Sequence, residues 1–311
     1  MLTAGAGVPE LTLLYRGPLS SCNYSCGYCP FAKHAESPAE AAADTAALER
    51  FVAWVQAYPD PISVFFTPWG EALHRARYRA AVIRLSRLPQ VRRVAIQTNL
   101  AGSPDWLAEA RTDRVGIWAT YHPGEVKRER FLAACARLDA LGVSYSVGVV
   151  GLRAHFAEIE ALRTELPAAV PMWVNAFATG GGAPVAGYYS AAEVARLQAV
   201  DPLFEVGTRR IRSAGLACDA GLRALAIDGD GTARRCHFVP RVVGNLYADP
   251  LPDLLVDRPC PKPTCDCHLG YVWLRDLDAG EVYGSGLLER VPRPGADLTG
   301  YLDRARQLAL G

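Results

Sequence analysis

Leu11-Thr-Leu-Leu-Tyr15 is a short apolar run, and the loop after it carries Cys22-Asn-Tyr-Ser-Cys26-Gly-Tyr-Cys29. The spacing is C-x3-C-x2-C on a loop that follows a first strand. Three thiolates this close can wrap one metal cluster. On a four-iron cube, three protein ligands leave one iron open for chemistry, whereas a fully ligated cluster only carries electrons. A zinc loop with His34 as the fourth ligand is the alternative.

Outward from this loop, strand-like and helical stretches alternate. Residues 44–58 have helical spacing with Asp44 as N-cap. Residues 62–67 (ISVFFT) are β-branched and aromatic between prolines and read as a buried strand. A helix over 75–88, a strand over 94–98, a short helix over 105–111 and a strand over 115–121 follow. Then come a helix over 129–141 ending at Gly142, a strand over 143–150, a helix over 154–165 and a strand over 172–177. Residues 36–49 read as an Ala-rich, mostly solvated face.

Six such units predict an α/β fold with a parallel sheet and right-handed crossovers. They are too few for an eight-stranded barrel, so a partial (β/α)6 barrel is expected, with functional groups at the C-terminal strand ends. Residues 1–187 are assigned to this barrel. Its boundary is the Gly/Pro/Ala loop 178–187, whose Gly180-Gly-Gly182 lacks the context of a phosphate loop. Residues 188–216 are a connecting helical segment capped by Ser190, 217–268 a cysteine-rich unit, and 269–311 a tail packed back on the barrel.

The chain has 311 residues, half of them hydrophobic, and a net charge of +1. That balance argues against a nucleic-acid surface or a polybasic membrane surface. No apolar run approaches the roughly 20 residues of a membrane helix, and the N-terminus has no secretory pattern. A cytoplasmic protein is expected, in which nine cysteines point to metal rather than disulfides.

C-x3-C-x-aromatic-C after the first strand of a six-fold β-α barrel resembles the radical S-adenosylmethionine superfamily. The resemblance implies that Cys22, Cys26 and Cys29 hold a [4Fe–4S] cluster whose open iron binds S-adenosylmethionine. It implies reductive cleavage of that cofactor to a 5′-deoxyadenosyl radical, and it places Tyr28 near the adenine. Thr67-Pro-Trp69-Gly70-Glu71-Ala72 resembles the family's Gly-Gly-Glu-Pro, with Trp69 and Ala72 as departures. Glu71 would face the cofactor's ammonium, a charge-assisted contact. Gln97-Thr98-Asn99 resembles Thr-Asn-Gly, with Leu100 in place of glycine. Residues 147–151, including Val149, resemble the adenine-side motif of the fifth strand.

Cys218, Gly231 and Cys236 form C-x12-G-x4-C, followed by Cys260, Cys265 and Cys267. This resembles the auxiliary-cluster extensions called SPASM and twitch. Five cysteines imply one further [4Fe–4S] cluster with one cysteine spare: Cys260, Cys265 or Cys267. A structural zinc site is the alternative. His237 and His268 read as supporting or surface residues, and Cys135 as a buried small hydrophobe.

Thr120 and His122 follow the fourth strand and are candidates for the ribose or the substrate. Asn175 in the sixth strand is a candidate if it points inward. Tyr145, Trp173, Tyr188 and Tyr189 are core or pocket-wall aromatics.

The expected function is hydrogen abstraction from a small-molecule or peptide substrate, with electrons from a flavodoxin or ferredoxin. The auxiliary cluster as electron acceptor favours an oxidative outcome. About 20 residues before the first cysteine leave no room there for a peptide-leader domain, which favours a small metabolite. The rivals are a non-enzymatic electron-transfer protein and a zinc-binding interaction protein.

Overall fold

The computed structural model describes residues 10–29, 31, 34–178 and 183–310, so Gly180–Gly182 lie outside the described residues. Strands β1 (Leu11–Arg16), β2 (Ile62–Phe66), β3 (Val91–Thr98), β4 (Val115–Tyr121), β5 (Ser144–Val150) and β6 (Met172–Asn175) lie side by side in chain order. Every neighbouring pair among them is parallel. β7 (Arg210–Arg212) belongs to a separate small sheet with Thr264–Cys265 and Ala309–Leu310. β8 (Ala224–Asp228) returns to the main sheet and runs parallel to β1 on its free side. β9 (Thr232–Arg234) and β10 (Val242–Asn245) continue it antiparallel, giving nine strands that end at β10 and β6 without closing. The expected open, partial barrel is therefore present, and the cysteine-rich region contributes strands to the same sheet.

α1 (Pro38–Ala57), α2 (Ala76–Arg87), α3 (Arg128–Ala140) and α4 (Phe156–Glu165) cover the outer face, and a 3-10 stretch, Pro104–Glu109, stands in for the helix between β3 and β4. The sequence reading began α1 too late. Ser37 is its N-cap: Ser37 Oγ accepts from Glu40 N at 3.3 Å, and Glu40 Oε2 accepts from Ser37 N at 2.8 Å. This is a capping box with Pro38 in the first turn. Asp44 is instead a buried helix residue, accepting from Arg77 Nε at 2.6 Å and Tyr78 Oη at 2.9 Å. Most of residues 36–49 are exposed, as expected, and Glu36 and Asp44 pair with Arg75 and Arg77 where the stretch meets α2.

Strand alternation divides the core in two. Leu13, Val64, Ile96, Ile117, Val147 and Val174 point out beneath the helices, where Leu48, Phe51, Val52 and Val55 of α1 join them. Each fully buried side chain of this kind is worth about 1.5–3 kcal/mol. Leu14, Phe65, Ala95, Trp118 and Trp173 point inward and meet residues of the C-terminal third.

The floor of the barrel, at the strand N-termini, is closed by Glu289. This fully buried carboxylate pairs with Arg93 of β3 and accepts from Ser144 Oγ of β5 at 2.8 Å. A Cβ on Gly116 of β4 would lie 2.6 Å from Glu289 Oε2, so glycine leaves room for the carboxylate.

Candidate active site

At the opposite end, the inward alternation brings Arg16, Thr67, Gln97, Thr120 and Asn175 to the C-terminal rim. The cysteine loop crosses this rim. It turns tightly, with Cys29 N donating to Cys26 O at 3.1 Å. Cys26 Sγ lies 3.4 Å from His122 Nδ1, and Tyr28 Oη lies 2.9 Å from the same nitrogen. Ser25 N donates to Glu125 Oε2 at 3.1 Å. The loop is thus fastened to the segment after β4, and His122 contacts the loop itself.

A second fastening comes from β2 and β3. Glu71 N donates to Ser21 O at 3.0 Å, and a Cβ on Gly70 would come within 1.9 Å of that oxygen. Only glycine permits this approach. Glu71 is 4 % exposed. Its Oε1 accepts from Thr98 Oγ1 at 2.8 Å and Leu73 N at 2.9 Å, and its Oε2 accepts from Asn99 N at 2.6 Å. Burial nevertheless pushes its carboxyl up to about 6, with these three donors opposing. Asn99 Nδ2 then donates to Asn23 Oδ1 at 3.0 Å, closing the circuit back to the cysteine loop. Leu100 sits at φ 53°, a left-handed conformation that explains why the resembled motif has glycine there.

Donor chemistry fits the group the sequence implies: three thiols on one loop, beside a carboxylate with acceptor capacity left on Oε2. Among the described residues, no three Cys, His, Asp or Glu side chains are already gathered as a metal site.

Thr120 is half-buried on the inner rim, and Asn175 is exposed at the end of β6. Val149 differs from expectation. Its side chain is wholly buried in the outer layer, which leaves only its backbone to face a cofactor. The inward residue there is Gly148, where a Cβ would strike the Trp173 ring at 2.0 Å. His34 turns to Glu40, 2.8 Å away. Cys135 lies in the outer core as expected.

Of the second cysteine group, Cys218, Cys236, Cys260 and Cys265 are buried in the inner cluster, with Cys267 partly buried at its edge. Burial raises the Cys265 thiol first, followed by the charges of Cys236, Cys267, Cys260 and Cys218. Cys218 likewise feels Cys260 and Cys236. Burial raises Cys267 too, and its charge in turn raises Cys265. Gly270 makes room for Cys265, since a Cβ would lie 2.5 Å from its sulfur.

Neither flanking histidine is a surface residue. His268 is buried inside the barrel, 5.3 Å ring to ring from Trp118, with Nε2 unpaired. His237 bonds Thr67 Oγ1 through Nε2 at 2.9 Å. Burial, then the charges of Arg16 and Arg234, lower its pKa well below the usual value and keep it neutral.

His237 lines a cavity of about 820 Å³ with Arg16, Trp69, Asp228, Arg234 and Phe238. The sequence reading missed Arg16, although it is the only charge in LTLLYR and the alternation turns it inward. A smaller cavity of about 380 Å³ lies on the Glu71 side, between Leu73 and Trp106.

No family model matches the chain. Among solved structures, anSMEcpe with bound AdoMet (S-adenosylmethionine) matches at TM-score 0.55 and 13 % identity, over 96 % of this chain and 95 % of that one. This chain shares its fold with that structure. The anSMEcpe structure with AdoMet and the Kp18Cys peptide matches at TM-score 0.55 and 12 % identity over 80 % and 81 % of the two chains. The form with the Cp18Cys peptide matches at TM-score 0.53 and 13 % identity, over 96 % and 95 %. Within this fold, the rim fastened to the cysteine loop lies at the C-terminal strand ends, where α/β folds carry their ligands. No helix among the described residues is long and apolar enough to cross a membrane.

Proposed function

We propose that this protein is a radical S-adenosylmethionine enzyme. Cys22, Cys26 and Cys29 hold a [4Fe–4S] cluster with one iron open to the cofactor, and Cys218, Cys236, Cys260 and Cys265 hold a second. When bound, the first cluster and S-adenosylmethionine supply a carbon radical by reductive cleavage of a sulfur–carbon bond, given an electron from a flavodoxin or ferredoxin.

The observation that carries this reading is the hydrogen-bonded circuit from Ser21 through Glu71 and Asn99 to Asn23. It ties the ends of β2 and β3 to a loop with three thiols and one open side. Glu71 then positions the loop and offers Oε2 to the cofactor's ammonium. Tyr28 and His122 brace the other flank, and Thr120 faces the same rim. Cys267 is assigned outside the second ligand set, because it alone of the five is only partly buried at the edge of the cluster.

The substrate is a small molecule or peptide bound between the two cysteine sets, where the second set would hold a cluster able to take up an electron and so favour an oxidised product. The lining of the large cavity supports this: Trp69 precedes the Gly70 that packs on the first cysteine loop, and His237 follows Cys236 of the second set.

Anaerobic reconstitution with iron and sulfide, followed by S-adenosylmethionine and dithionite, tests the reading. About eight iron per chain are expected, from two four-iron cubes, together with 5′-deoxyadenosine. Iron-loaded protein that makes no 5′-deoxyadenosine would overturn it.

A further inference from the structure

Arg16 is the inward-facing last residue of β1, at the rim of the barrel. Its Nε donates to Thr67 O at 2.8 Å, and its guanidinium lies over the Trp69 ring at 4.2 Å. Two groups fix one edge and one face, which leaves the terminal nitrogens toward the cavity of about 820 Å³.

The carboxylates of that cavity are engaged elsewhere. Asp228 pairs with Arg234 across the β8–β9 hairpin, and Asp230 accepts from Thr232 N at 2.9 Å. Among the described residues no carboxylate forms an ion pair with Arg16. The remaining residues of the sequence include no Asp or Glu. The neighbouring histidine, His237, is held by Thr67. Pro18, Ala47, Phe238 and Pro240 make the rest of the wall largely apolar. Asp228 and the Cys267 thiol are the acidic groups nearest this guanidinium, but neither forms an ion pair with it. Its free donors are therefore open to an oxyanion delivered by a ligand, because Arg offers a fork that matches carboxylate or phosphate.

We propose that this cavity is the substrate site, and that the substrate presents a carboxylate or phosphate to Arg16 while an apolar portion lies against Phe238 and Pro240. The proposal rests on the radical S-adenosylmethionine reading for the word substrate; the anion site itself stands on Arg16 and the cavity. It separates the substrate, on the β1–β8 side, from the cofactor, on the Glu71 and Asn99 side. The acidic group acts as a handle that orients the reacting carbon toward the rim.

Trp69 provides a built-in reporter. The reconstituted protein is labelled with 5-fluorotryptophan, and the Trp69 fluorine resonance is identified through Trp69→Phe. Succinate, inorganic phosphate and the neutral isostere succinamide are titrated in turn. Saturable shifts of the Trp69 resonance are expected with succinate or phosphate, and whichever binds tighter names the oxyanion. Succinamide should bind at least tenfold more weakly, and Arg16→Gln should weaken the anion at least tenfold.

The dispersion of the other tryptophan resonances reports folding. If Arg16→Gln loses it, Arg16→Lys serves instead, retaining charge but losing the fork, with a smaller loss of affinity expected. Equal binding of succinate and succinamide, or no shift with either anion, overturns the proposal. So does displacement of the anion by S-adenosylmethionine, which would assign Arg16 to the cofactor's carboxylate. Cofactor cleavage by the parent protein is measured separately, so failure of the enzymatic reading and failure of the anion site are read from different signals.

Discussion

Glu71 carries two demands that oppose each other. Three donors hold its charge in place, and burial resists that charge. Gln can accept at only one of the two oxygens and would turn an amide toward Asn99 N or Thr98 Oγ1. Glu71→Gln should therefore cost about 1–3 kcal/mol, seen as a lower urea midpoint. The pH dependence gives an independent check. The folded carboxyl lies at about 6, above its ordinary 4.5, so the proton favours the folded state. Stability from this group is present below 4.5 and lost as pH rises through about 6. From about pH 4 to about pH 7 the parent should lose about 2 kcal/mol relative to the non-titrating variant. A pH-independent difference would mean that the carboxylate is better solvated than its 4 % exposure implies.

Glu289 is a second residue on which much depends. Its partner Arg93 is 14 % exposed and the carboxylate is fully enclosed. Removing one member of such a pair leaves the other buried and uncompensated. Glu289→Gln is expected to destabilise the fold by about 3–5 kcal/mol. Calorimetric unfolding that shows little change would mean that Ser144 and water satisfy Arg93 and the amide alike.

At the scale of elements, the second cysteine group makes a prediction that separates two cysteines of one short segment. Cys260→Ser should lower reconstituted iron from about eight to about four per chain, and Cys267→Ser should leave it near eight. The reverse result would put Cys267 in the ligand set. Spacing along the chain could not choose between Cys260, Cys265 and Cys267. The choice depends on which side chains share a cluster after Thr264–Cys265 pairs with β7 and the following turn redirects Cys267 toward Arg16.

The six β-α units were legible because their strands are β-branched, apolar and bounded by turn residues, and the Cys22–Cys29 spacing marked the rim. The start of α1 was misread although Ser37-Pro-Ala-Glu40 is a capping box; its alanine-rich first turns give little apolar periodicity, and Asp44 looked like a cap when it is a buried partner of Arg77. Arg16 was overlooked, and His237 left as a supporting or surface residue, because a charged residue ending a strand and a histidine beside a cysteine look ordinary until two distant segments meet at Thr67.

For the whole molecule, the division of labour between the cysteine sets is open to a direct test. With Cys218 and Cys236 both changed to Ala, 5′-deoxyadenosine should still form, while product from the true substrate is lost. Retained circular dichroism and cofactor affinity are required alongside, since cluster binding and folding are coupled. A folded double variant that makes product at the parental rate would reduce the second cluster to a structural part.

The seat of β8 beside β1 also has a consequence on the ribosome. β1 emerges well before its second neighbour, Ala224–Asp228, which is made some 200 residues later. At 5–20 residues per second, the nascent chain would carry an apolar strand with one bare edge for roughly 10–40 s. The buried floor residue Glu289 arrives later still. The barrel can therefore only be finished after translation of its own rim and floor, and the half-built sheet is the stage at which a chaperone would have most to hold.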